Sequence, residues 1–359
     1  MRESNFDALR ILAMLFIVIH HLTLGGLGLY GVQNGVLPGQ EKHFLFLGCI
    51  NLVCIVGVNL FFLMSGYFGI NLTLRKVVKL IIELYFYAFV IHILGLAAGA
   101  LQFNKGTLVS FIGSLAVYWF MLVYVILMLL SPFLNRACDN VSRNEYIAII
   151  GGVFAIACVY GWVKNASSLG LNNGYSLISA VCLYVLGRGI NKYHFFKEFS
   201  GKGYIISLLL SICLYAVIVY GTHSGKWAWH AFAYNQPFTF LASMFLIEYF
   251  SQVSLSIRVE KIVTWMAGSV LAVYYIHSSN WMGGLRNLPV TWMENSNFVL
   301  LGLVLYACVI FVGCILVDKF RLVLLGSVFD KIIYGVTAQI EKVVDRQIRP
   351  RIERVFGNR

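Results

Sequence analysis

The sequence predicts an all-α, polytopic transmembrane helical bundle of about ten spans with both termini cytoplasmic. Three observations lead there. Of 359 residues, 60% are hydrophobic and only 12% are charged, with a mean hydropathy of +0.81, whereas soluble domains carry about 25% charged residues. Apolar runs long enough to cross a bilayer, roughly 17 to 25 residues, recur along the whole chain. When those runs are taken as spans with the N-terminus inside, the basic residues collect on one side: of the 27 Lys and Arg, only Lys42, Lys105, Lys164, Lys226 and Arg286 fall outside.

Taken in order, the first run covers 7–29 and carries Asp7, Arg10, His20 and His21. The second, 44–69, ends on an aromatic and small-residue segment, and Arg75, Lys76 and Lys79 mark the inner mouth of the third, 77–101. Glu83 follows Lys79 by one helical turn and is expected to pair with it. The fourth, 109–134, returns to Arg136 and Arg143 inside, and the fifth and sixth, 145–163 and 174–190, lead to Arg188, Lys192, Lys197 and Lys202. The seventh and eighth are 203–221 and 237–252, the latter the shortest, and Glu248 stands alone in its apolar stretch. Arg258 and Lys261 precede the ninth, 262–282, which brings Tyr274 and His277 toward the outer side, and 298–318 is the tenth. Beyond 325, Ile340, Val343, Val344 and Ile348 recur at helical spacing with basic residues between them, a pattern suited to a helix lying on an anionic inner leaflet. The domain reading is therefore a bundle over 1–325 and a basic amphipathic cytoplasmic tail over 326–359.

This charge pattern accounts for the net charge of +12 as topology and anionic-lipid contact rather than nucleic-acid binding. The first apolar run lacks a small-residue cleavage site and is expected to stay as a signal anchor. The eight cysteines show no metal-ligand spacing and no extracellular pairing, so free thiols are expected and no metal site. The outer segments near 30–43, 222–236 and 283–297 are rich in Gly, Asn and aromatics, among them Lys226-Trp227-Ala228-Trp229-His230 and Trp292-Met293-Glu294-Asn295. Their rings serve either as interfacial anchors or as a sugar-binding rim.

Ionisable groups inside a span are costly and point to function. Arg10 and His21 are eleven residues apart, which on a helix leaves them about 20° apart around the axis and roughly 16 Å apart along it. One face of the first span thus presents Asp7 and Arg10 near the membrane surface and His21 near the bilayer midplane, with His20 to the other side. A proton-coupled transporter or flippase of a glycan or lipid precursor would also use such a face, but no inverted repeat or matched pair of broken spans accompanies it.

The segment Phe6-Asp7-Ala8-Leu9-Arg10, ten residues and His21 resembles the signature of the membrane-bound acyltransferase 3 family. Asn59-Leu60-Phe61-Phe62-Leu63-Met64-Ser65-Gly66-Tyr67-Phe68, the cluster Arg75, Lys76 and Lys79, the run from Trp119-Phe120 through Tyr124 to Leu130-Ser131-Pro132, and Ser269 through Tyr275-Ile276-His277 resemble its later motifs, in the family's order over about 275 residues. The basic cluster departs from the paired arginines of relatives. The extracytoplasmic esterase-like domain often fused in the family is not part of this sequence, so the bundle itself is expected to complete the transfer.

The resemblance implies an O-acyltransferase that moves an acyl group, acetyl from acetyl-CoA, to a hydroxyl of a cell-envelope polysaccharide or lipid-linked sugar across a bacterial cytoplasmic membrane. That chemistry needs a base for the hydroxyl proton. His21 is the expected base or transient acyl carrier, with His20 as the other imidazole in reach. Arg10, Arg75, Lys76 and Lys79 are expected to hold the CoA phosphates, and Asp7 to orient Arg10. His277, Tyr274, Trp119, Tyr124 and Glu248 are the expected acceptor-binding residues, while Asn59 and Ser65 line either the cavity or a helix contact.

Overall fold

A computed structural model describes residues 3–164, 169–279, 282–293 and 296–348. Among the described residues every regular element is helical. α1 (Ser4–Gly25) leads through a 3-10 turn to α2 (Glu41–Cys54) and α3 (Val56–Phe68), which form one span interrupted only at Ile55. α4 (Leu74–Ala97) starts where the Thr73 hydroxyl accepts the Lys76 N–H, filling one of the donors a helix start leaves open. Then come α5 (Lys105–Ile112), α6 (Ser114–Val117) and α7 (Trp119–Asp139), followed by α8 (Arg143–Val153), a π stretch and α9 (Gly161–Val163). Ser142 and Glu145 form a reciprocal capping box at the start of α8. α10 (Leu177–Tyr193), α11 (Ser200–Thr222), α12 (Gly225–His230), α13 (Pro237–Phe250), α14 (Ile257–Ala267), α15 (Val270–His277), α16 (Met282–Met293) and α17 (Val299–Val343) complete the bundle.

Among the described residues seven helical segments are long and apolar enough to cross a membrane, and the pair α14 and α15, bent by 43°, makes an eighth. The other two expected spans are α10, with 17 residues, and α13, with 14. Each of the ten apolar runs is therefore a helix or a broken helix. Two boundaries differ from the sequence reading. The fourth run is not continuous from 109, because Gly113 ends α5 and Tyr118, at φ −83° and ψ 73°, leaves helical geometry, so the long helix begins at Trp119. The last helix runs unbroken for 45 residues, about 67 Å at 1.5 Å per residue, and residue 325 lies inside it. There Phe329 and Ile333 pack on Val78 of α4; the chain from 349 to 359 lies outside the described residues.

α1 is the central helix, touching α2, α3, α14, α15 and α17. α3 lies between α1 and α10, and its crossing with α10 is made possible by glycine on both sides. A Cβ on Gly66 would meet the Tyr184 carbonyl oxygen at 1.9 Å, and one on Gly187 would meet that of Leu63 at 2.1 Å. Small residues at a membrane helix crossing let backbones approach this closely. Large apolar side chains such as Phe133, Val217 and Val323 cover the outside, where lipid rather than water is the solvent.

Candidate active site

α1 carries the histidines in its last turns, since Gly25 and Gly26 end the helix. His21 thus sits in the last turns of α1, toward the end opposite Arg10. α15 ends on His277 and packs beside α1. The two meet: His21 Nδ1 and His277 Nε2 are 3.1 Å apart. His277 Nδ1 lies 2.6 Å from the Val273 carbonyl oxygen, an acceptor only, so that nitrogen carries the hydrogen. For a neutral pair the proton order follows. His277 Nε2 accepts, His21 Nδ1 donates, and His21 Nε2 keeps its lone pair. The Arg286 guanidinium donates to the backbone carbonyl of His277 and anchors the end of α15.

His21 lines a cavity of about 190 Å³ together with Tyr118, Trp119, Phe120, Tyr274 and Ser278. The broken entry to α7 supplies three of these walls. On α1 the cavity extends from Met14 to His21, stopping one helical turn short of Arg10. His20 does not line it: its Nδ1 is 2.5 Å from Asn51 Oδ1, in a buried contact between α1 and α2.

Arg10 donates to Asp7 at 2.6 Å, with Asp7 0% exposed and Arg10 one-third exposed (33%), and its guanidinium lies over the Phe68 ring. Asp7 therefore orients Arg10, and Arg10 is not among the residues lining the cavity beside His21. Arg75 is exposed, Lys76 Nζ donates to the Asn71 carbonyl at 2.7 Å, and Lys79 sits 3.8 Å from Glu83. The Lys79–Glu83 pair is as the spacing predicts. It belongs to a larger buried network that the sequence reading missed, in which Arg321 bridges Glu83 at 3.6 Å and Asp318 at 2.7 Å, and Tyr87 donates to Asp318 at 2.5 Å. The one local signal is an acid and a base three residues apart on the last helix, Asp318 and Arg321.

Of the expected acceptor residues, Trp119 and Tyr274 reach the cavity and His277 backs it through His21. Tyr124 does not line it; that ring stacks on Phe120 and faces Ser65. Glu248 does not line it either, because its carboxylate is taken by His194 at 2.8 Å. Asn59 bonds the Tyr234 carbonyl and Ser243, a contact between helices, whereas Ser65 bonds the Phe61 carbonyl within its own helix. Away from this cavity His230 stacks on Trp162 with 5.2 Å between ring centroids, and burial pushes its imidazole below the usual range. Glu294 and Asn295 lie outside the described residues.

Fold and surface define a multi-pass integral membrane protein with a histidine pair at an internal cavity. The chain matches the family model described as Acyltransferase domain, the acyltransferase 3 family, over residues 3–319. It belongs to that membrane acyltransferase family. No curated protein and no solved structure gives a significant match.

Proposed function

We propose that this protein transfers an acetyl group from cytoplasmic acetyl-CoA to a hydroxyl of a cell-surface polysaccharide or lipid-linked sugar, in a bacterial cytoplasmic membrane with both termini inside. The observation that supports it most is the proton order of the His21–His277 pair, which leaves His21 Nε2 as a basic nitrogen beside a cavity. The acceptor hydroxyl gives its proton to Nε2 as its oxygen attacks the thioester carbonyl. Collapse of the tetrahedral adduct breaks the carbon–sulfur bond, and the proton passes from His21 to the departing thiolate. His277 acts as a positioning residue, holding the His21 ring in one tautomer as the third member of a catalytic triad does.

In this reading Arg10, oriented by Asp7, grips the CoA phosphates through its planar fork, with Arg75, Lys76 and Lys79 adding charge at the inner mouth and meeting anionic lipid. Trp119 and Tyr274 stand on the acceptor side. Purified protein is expected to release thiol from acetyl-CoA when a glycoside acceptor is supplied. Arg10→Ala is expected to raise the KM for acetyl-CoA about tenfold, the loss of one charge-assisted contact. Absence of thiol release with every acceptor tried defeats the acyl-transfer reading, and an unchanged KM removes Arg10 from the donor site.

A further inference from the structure

Next to the base cavity lies a second, larger pocket of about 370 Å³, a size that small-molecule ligands fill. Val117, Tyr118 and Ser278 line both, so the two share a wall. Its remaining lining comes from α4, the start of α5 and the chain after α15, and sets polar side chains among apolar surface. His92 Nδ1 donates to the Ala88 carbonyl at 2.7 Å, leaving Nε2. Asn104 Oδ1 accepts the Thr107 N–H at 3.0 Å, leaving its amide hydrogens. The Ser110 and Ser279 hydroxyls have no hydrogen-bond partner among the described residues, although Ser279 is only 7% exposed. None of the lining residues is Lys, Arg, Asp or Glu; Lys105, between two of them, is exposed and outside the wall.

We infer that this pocket is the acceptor subsite and that it takes an uncharged, hydroxyl-rich sugar residue. The free hydroxyl, amide and imidazole groups along its wall can each exchange a hydrogen bond with a polar ligand. A pyranoside offers donors and acceptors to match. A carboxylate or phosphate on the ring would meet no cation among the lining residues. The shared Tyr118 and Ser278 wall lets a sugar seated in this pocket extend one hydroxyl toward His21.

The identity of the ligand as acceptor rests on the acyl-transfer reading, and the test separates the two. Binding of methyl β-glucoside and of methyl β-glucuronide to protein in lipid nanodiscs, free of sugar-headed detergent, is measured by saturation-transfer NMR. The glucoside is expected to bind wild type and His21→Ala alike, and the glucuronide about tenfold or more weakly, since its charge is left unpaired. Ser110→Phe, a change at an exposed position that fills the pocket, is expected to abolish glucoside binding with an unchanged unfolding midpoint, and Ser279→Ala to weaken it. Equal binding of the glucuronide overturns the uncharged class, and full glucoside binding by Ser110→Phe overturns the pocket. Glucoside binding without any thiol release from acetyl-CoA supports the pocket and defeats the acyl-transfer reading alone.

Discussion

His21→Ala is expected to lower acyl transfer by about 10²- to 10⁴-fold, the usual contribution of a positioned general base, with the bundle still folded. His20→Ala, one residue away, is expected to keep transfer near wild type and instead to lose about 1 kcal/mol of stability, because it strands a buried polar group on Asn51. The contrast comes from geometry. His20 is bonded to Asn51 away from the cavity, whereas His21 borders it with one nitrogen bonded to His277. Radiolabelled acetyl transfer and thermal unfolding of both variants check the pair of outcomes. Unimpaired transfer by His21→Ala ends the assignment, and loss of transfer in His20→Ala with intact stability reassigns the base.

Gly66→Ala should be among the most damaging single changes in the chain. Its new Cβ would sit 1.9 Å from the Tyr184 carbonyl oxygen, a backbone atom that cannot rotate aside. α3 and α10 must then separate along their whole crossing, losing the packing that drives helix association in lipid. Overpacking of this kind costs about 1 to 3 kcal/mol where side chains can give, and here the blocking atom is main chain, so the upper end is expected. Gly187→Ala repeats the collision from the other helix. By contrast Gly151→Ala, which meets nothing within 4 Å, should leave the unfolding midpoint unchanged in detergent. Wild-type stability in Gly66→Ala would mean that this crossing is looser than its backbone contacts require.

Much of the architecture was legible because hydropathy and charge are local and additive. Ten apolar runs yielded ten helical or broken-helical segments, and the shortest run became the 14-residue α13. The breaks were less legible. Tyr118 interrupts a run whose composition stays apolar, and no hydropathy sum distinguishes that kink from a continuing helix, yet it forms the cavity wall. Spacing alone put Arg10 and Asp7 within reach of each other and Lys79 beside Glu83, since both pairs lie within one turn of one helix.

The sequence by itself determined the membrane class, the helical runs and the helix that carries the histidines. Only the tertiary structure decided which imidazole borders the cavity, and it did so through partners 31 and 256 residues away, Asn51 and His277. It likewise gave Glu248 to His194 and drew Asp318, Arg321 and Tyr87 into one network. The reason is physical: periodicity reports which way a side chain leaves its own helix, while its neighbours depend on how closely and at what angle the other helices pack. In this bundle that packing turns on glycines such as Gly66 and Gly187, whose lack of a side chain carries no hydropathy signal.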